Sequence, residues 1–319
     1  MLSSLRLILK GIAQYVRGKP IILAHTISNK CNLKCPFCPF RSVEGEEMSR
    51  EDIFDFLRKS KKLGILVYTV WGTEPLLRED LGECLEYARS LGMLNMVITN
   101  GTLLRDKLEM LKYCDYLIVS VDGVKTYPQI RGGDLDRVVE GIMMAKEAGI
   151  RTSINCVLNN VNLYDVDDLV DLAEELGVGI VFEPIHEYQS ISQEVWEEYG
   201  IRDEQKYKQA VDRIIEMKRK GRSVLNSYPY LEMIREREPE FKCKVNDTIL
   251  HLGLDRKVES CFGVIGDANE DLEELWKKWR LQGKQLSEKC EGCLFSGYVE
   301  TSLLFNLDRR VIWNYLKHL

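Results

Sequence analysis

The chain has 319 residues, 45% of them apolar and 29% charged, with a formal net charge of −6. That length suits one large domain or a large domain with a small companion, and the acidic balance argues against a nucleic-acid partner, whose binding sites carry a basic stripe. No run of about 18 apolar residues is present to cross a bilayer.

Residues 1–19 read as an amphipathic helix, with Leu2, Leu5, Leu9, Ile12 and Val16 at helical spacing and Arg6, Lys10 and Arg17 between them. No small-residue cleavage site follows, so a cytoplasmic chain is expected. In that compartment the ten cysteines point to metal ligation, redox chemistry or burial rather than a disulfide framework. From residue 20 to 190, short β-branched runs alternate with longer helix-period segments. Strands are expected at 20–28, 65–71, 93–99, 116–121, 151–158 and 178–184. Ser49 is placed to cap the helix after the first strand, and Gly64, Gly92, Gly149 and Gly177 stand where helices end. Such alternation implies parallel βαβ units, closed either as an open doubly wound sheet or as a curved partial barrel. Both put the chemistry at the carboxyl ends of the strands. Residues 191–242 read as a helical connection, with helices over 203–220 and 230–238. Residues 243–319 carry four more cysteines and a second amphipathic tail.

The segment Cys31-Asn-Leu-Lys-Cys35-Pro-Phe-Cys38 lies just beyond the first strand. Three thiolates within eight residues can converge on one iron–sulfur cluster, and three rather than four leave one iron open to a ligand. Structural zinc would want a fourth ligand nearby. This C-x3-C-x2-C spacing, with Phe37 before the last cysteine, resembles the signature of radical S-adenosylmethionine (SAM) enzymes. The resemblance implies a partial (βα)6 barrel within an α/β fold, a SAM-binding [4Fe–4S] cluster, and reductive cleavage of SAM to a 5′-deoxyadenosyl radical. It also implies an external electron donor such as ferredoxin or flavodoxin, and a cluster that calls for anaerobic handling.

Later motifs extend the likeness over residues 20–190. Gly72-Thr73-Glu74-Pro75, after the second strand, is similar to the family's Gly-Gly-Glu-Pro motif, with threonine replacing the second glycine. The likeness implies that this edge receives the SAM ammonium. Asn100 after the third strand, Ser120 and Asp122 after the fourth, Arg131 and Asn155 match further SAM contacts. Glu183 and His186, near the sixth strand, could face the same site. Cys84, Cys114 and Cys156 lack ligand spacing and read as buried small hydrophobes.

Cys243, Cys261, Cys290 and Cys293 form a second set, in which Cys290-Glu-Gly-Cys293 has metal-ligand spacing. Four-cysteine zinc is one reading. The other follows from a similarity to the twitch and SPASM regions of radical SAM enzymes, which implies an auxiliary [4Fe–4S] cluster in a small C-terminal domain. The two amphipathic ends suggest a peripheral membrane contact and a lipid or isoprenoid substrate. A peptide or protein substrate is the alternative, and a non-catalytic metal-bound scaffold is the alternative of another class.

Overall fold

A computed structural model describes the backbone of residues 2–40 and 45–317, and their side chains from Leu9 onward. Six parallel strands follow one another in chain order: β1 (Ile22–Thr26), β2 (Val67–Trp71), β3 (Leu94–Thr99), β4 (Tyr116–Ser120), β5 (Arg151–Leu158) and β6 (Gly179–Pro184). Each falls inside the stretch expected of it and starts up to two residues later. The helices between them also form where the local signals put them. Ser49 accepts a hydrogen bond from the Asp52 amide at 3.1 Å to open the helix Arg50–Leu63, and Gly149 closes the helix Leu135–Glu147 with φ +81°.

The two faces of this sheet are unequal. Outward residues such as Leu23, Tyr68, Val97, Val119, Ile154 and Phe182 are fully buried beneath the helices. Removing a side chain of that size from water contributes about 1.5–3 kcal/mol. Inward residues on β3 to β6, among them Met96, Ile98, Ile118, Ser120, Asn155 and Glu183, are only half-buried. A parallel sheet covered on both faces would bury both sets, so the half-burial marks a concave inner face that helices do not fill.

The sheet continues beyond the six expected strands. β7 (Ile249–Leu252) pairs in parallel with the free side of β1, placing Ala24 beside His251. An antiparallel pair, β8 (Lys257–Ser260) and β9 (Gly263–Asp267), extends it to nine strands in the order β6-β5-β4-β3-β2-β1-β7-β8-β9. The C-terminal cysteine region is therefore built partly on the barrel's own sheet. Trp276, on the helix Leu272–Ser287, is buried and donates to the Gly18 carbonyl at 2.9 Å, tying this region to the start of β1.

Two helix ends differ from expectation. The helix Tyr228–Glu236 stops earlier because Arg237 takes a left-handed conformation, φ 56°. The C-terminal tail divides at Leu307, φ 61°, into Ser296–Phe305 and Arg309–Lys317. The N-terminal helix Leu2–Val16 is present, with Leu9, Ile12 and Val16 exposed, while the side chains of Leu2 and Leu5 lie outside the described residues. Trp313 and Leu316 are exposed on the last helix. Among the described residues no helix is long and apolar enough to cross a membrane.

Candidate active site

The loops at the carboxyl ends of β1 to β4 close on a cavity of about 130 Å³. Cys31, Cys35 and Cys38 all line it, together with Gly72, Thr73, Asn100, Ser120 and Arg131. Each of these was expected at the site. Leu33, Phe40, Ile98 and Thr99 complete the lining and were not.

The cysteine loop is held from several sides. Thr73 Oγ1 donates to the Ser28 carbonyl at 2.5 Å, and the Glu74 amide donates to the Lys30 carbonyl at 2.9 Å. The Asn100 amide group donates to Asn32 Oδ1 at 2.9 Å and approaches Cys31 Sγ at 3.8 Å, while Asn32 donates to Thr102 Oγ1 at 2.8 Å. Arg78 reaches under the loop to the carbonyls of Ile27 and Met48 and pairs with Asp80. Sequence spacing gave no sign of Asn32, Arg78 or Thr102, because their roles come from contacts between separate loops.

The Gly72–Pro75 turn shows how a threonine fits the motif. Gly72 has φ +107°, and a Cβ there would lie 2.8 Å from Thr26 Cγ2, so glycine is required. Thr73 keeps a negative φ and uses its hydroxyl as the latch to Ser28. Glu74 is fully buried, and its carboxylate accepts from the Asn100 amide (2.8 Å), the Leu76 amide (3.0 Å) and the Thr99 hydroxyl (2.7 Å). Burial pushes its pKa up, and these three bonds oppose the shift. Glu74 thus locks the second loop to the third, while Gly72 and Thr73 of the turn line the cavity. Pro75 begins the short turn Pro75–Leu77.

Asp122 also works from behind. It is fully buried, accepts from Arg131 Nε at 2.7 Å and from the Val157 amide at 2.8 Å, and so aims Arg131 at the cavity wall. Burial works against the Arg131 charge, and Asp122, Cys35 and Tyr127 together more than offset it. Asn155 stands in register with Ser120 but gives its amide to Glu183 at 2.9 Å. Phe37 is buried against Tyr199, with ring centres 5.7 Å apart, and does not line the cavity. Cys84, Cys114 and Cys156 are buried as expected; burial pushes the first two thiols up to about 12.

The donor set suits an iron–sulfur cluster. Three thiols line one small cavity together with Leu33, Phe40, Ile98 and Arg131, whose carbonyl lies 4.0 Å from Cys35 Sγ. Among the described residues no three His, Cys, Asp or Glu side chains close on a point as ligands of a single ion do. Burial, opposed by Arg131, raises the Cys35 thiol to about 11, so a bound metal must displace a proton there.

A family model for the radical SAM superfamily matches residues 26–173, the span that carries all of these loops up to β5. That span is a radical SAM domain. Among its curated relatives, a probable GTP 3′,8-cyclase from Saccharolobus islandicus is 35% identical over 171 residues, 50% of this chain and 56% of that protein. An Fe-coproporphyrin III synthase from Methanosarcina barkeri is 32% identical over 173 residues, 51% of this chain and 43% of the relative. The chain thus spans about half the length of the curated relatives it matches. Among solved structures, Streptococcus suis SuiB bound to S-adenosylmethionine aligns with a TM-score of 0.66 at 19% identity, covering 81% of this chain and 66% of SuiB. The enzyme anSMEcpe with bound AdoMet and a peptide aligns at 0.66 and 20%, covering 86% of both chains. These two likenesses show a shared fold.

The second cysteine set gathers beside the barrel mouth. Cys243 and Cys293 are half-buried, and Cys261 and Cys290 are exposed. Although Cys261 is exposed as a residue, crowding of the thiol itself by neighbouring atoms raises it to about 12, and Cys243, Cys290 and Cys293 lie near enough to add to the shift. Between the two cysteine sets runs a line of rings. His186 stacks on Phe295 at 3.7 Å, Phe295 meets Tyr298 at 5.5 Å, and the Tyr298 hydroxyl lies 3.2 Å from His251 Nε2. His251, Trp71 and Phe40 continue it to the cavity lining. Among the described residues, Trp71 Nε1 and His186 Nε2 are buried on this line without a hydrogen-bond partner.

Proposed function

We propose that this radical SAM protein is an enzyme that cleaves SAM reductively and uses the resulting radical to take hydrogen from an unactivated carbon. The observation that carries the reading is the convergence of Cys31, Cys35 and Cys38 with the Gly72 turn, Asn100, Ser120 and Arg131 on one cavity. Cys31, Cys35 and Cys38 would hold a [4Fe–4S] cluster, which when bound would supply the electron for cleavage of the SAM sulfonium. The chain's own residues do the rest. Carbonyls of the Gly72–Thr73 turn receive the SAM ammonium, Arg131 meets its carboxylate by a charge-assisted hydrogen bond, and Ser120 faces the ribose. Trp71 and His186 offer hydrogen bonds toward a substrate lying along the ring wall.

The C-terminal cysteines are assigned an auxiliary [4Fe–4S] cluster, ligated by Cys243, Cys261, Cys290 and Cys293. The gathering of the four thiols beside the ring wall supports it, and zinc is the competing occupant. Anaerobic reconstitution should give about eight irons per chain, falling to about four when Cys31, Cys35 and Cys38 are all changed to alanine. About four irons with bound zinc would move the second set to a structural role. No iron at residues 31–38 would sink the proposed chemistry.

For the substrate, the lipid reading rests on the exposed Leu9, Ile12, Val16, Trp313 and Leu316 beside Arg309, Arg310 and Lys317. None of the relatives named above is described as acting on a lipid. A peptide or protein substrate draws on the peptide-bound anSMEcpe, which shares the fold. Vesicle flotation separates the two. On the lipid reading the protein floats with anionic vesicles, and Trp313→Glu with Leu316→Glu lowers the bound fraction about tenfold or more. A wild-type protein that stays unbound at low salt leaves the peptide reading.

A further inference from the structure

The three residues that lead into Cys31 are gripped from two sides. On one side, Thr73 and the Glu74 amide take the carbonyls of Ser28 and Lys30. On the other, a single carboxylate oxygen, Glu47 Oε1, accepts from the buried Ser28 hydroxyl at 2.8 Å and from the Asn29 amide at 3.0 Å. Ser28 Oγ in turn accepts from the Lys30 amide at 3.2 Å. Asn29 Nδ2 donates to the Gly45 carbonyl at 2.8 Å, which ties the limb entering the cysteine loop to the limb returning from it. The buried Arg78, already bonded to the carbonyls of Ile27 and Met48, faces Glu47 Oε2 at 3.7 Å and so spans both limbs.

The returning limb is held by a turn 209 residues further along the chain. Between β7 and β8, Asp255 and Arg256 both take left-handed φ, 54° and 60°, and the Lys257 amide closes the turn on the Leu254 carbonyl at 3.1 Å. Asp is among the residues that tolerate such a conformation, and two-residue turns of this hand match the twist of a strand pair. The Asp255 amide donates to the Glu46 carbonyl at 3.1 Å, and the Asp255 carboxylate accepts from the Glu46 amide. Gly45 has φ +136°, and a Cβ there would lie 2.7 Å from Asp255 Oδ2, so the limb passes the turn only as glycine. Arg256 adds a pair with Asp52, in the first turn of the helix Arg50–Leu63.

We infer that Glu47 is a positioning residue for SAM cleavage, and that the β7–β8 turn, through Asp255, holds Glu47 in place. The inference rests on the radical SAM reading and deepens it. The C-terminal region then serves the first cysteine site through a protein contact, whatever its own cysteines bind. Neither Glu47 nor Asp255 lines the cavity, so both act through residues 28–30. A reacting centre misplaced by about 1 Å can lose about a hundredfold in rate, so geometry suffers before metal is lost.

The test uses the reconstituted holoenzyme and reads iron content, SAM affinity from the electron paramagnetic resonance change of the reduced cluster, and hydrogen exchange of residues 28–34. Glu47→Ala should keep wild-type iron, weaken SAM binding about tenfold or more and speed the exchange. Glu47→Gln keeps an acceptor oxygen and should recover most of the affinity. Asp255→Ala, at an exposed position, should keep the fold and weaken SAM binding about threefold or more. Arg256→Ala removes only an exposed ion pair and should stay within about twofold of wild type. Unchanged SAM affinity in Glu47→Ala overturns the positioning role, as does equal loss in Glu47→Gln. Unchanged affinity and exchange in Asp255→Ala overturn the part given to the turn. Wild-type protein without iron at residues 31–38 overturns the proposed function itself, whereas wild-type iron with unaltered exchange in every variant overturns this inference alone.

Discussion

Cys35→Ala is expected to reduce 5′-deoxyadenosine formation to background. Cys35 is the most deeply buried of the three loop cysteines, sits between the other two in sequence, and lies 4.0 Å from the Arg131 carbonyl. Neither Cys31 nor Cys38 can move to replace it: Cys31 is flanked by the Lys30 and Asn32 contacts, and the Cys38 amide donates to the Cys35 carbonyl. Loss of one thiolate from a three-thiolate site removes the cluster along with its open iron. The variant should keep the circular dichroism of the wild type and the iron of the second cysteine set. Retention of more than about a tenth of the cleavage activity would show that the three thiols do not act as one unit.

Asp122→Ala should be the most destabilising single change near the site. It strands the Arg131 guanidinium, whose side chain is 11% exposed, without its counter-charge, and leaves the Val157 amide unpaired. Breaking a buried pair from one side costs about 3–5 kcal/mol, to be read from urea unfolding of the cluster-free protein. Asp122→Asn keeps an acceptor for Val157 and should lose less. SAM binding, measured at equilibrium on the reconstituted protein, should weaken in both, because Arg131 is no longer aimed at the cavity. A stability loss below about 1 kcal/mol for the alanine variant would mean that Arg131 finds water or another partner.

What could be read from the sequence divides along a physical line. The six barrel strands were legible because each is a local apolar run, and the glycines that close the helices act over a single turn. The convergence of the loop cysteines was legible for the same reason, the three being close neighbours in the chain. β7 was not: four residues, Ile249–Leu252, carry little periodicity, and the strand exists because β1 offers a free edge. Glu74 and Asp122 were found by their motifs, yet their work as internal clamps depends on Asn100, Leu76, Val157 and Arg131 arriving from other strands. The threonine at position 73 looked like a departure from the motif, and the backbone shows that glycine is needed only at position 72.

The pairing of β7 with β1 also sets an order of events during synthesis. Until residues 249–252 have been made, the strand leading into the cysteine loop is the edge of the sheet, with one row of backbone groups unpaired. The nascent barrel therefore carries an adhesive border beside its cysteine loop through most of translation. Contacts so far apart in the chain form late. Closure of the border and burial of the ring wall come together, so a cluster would have its widest access to residues 31–38 before about the last fifth of the chain is in place.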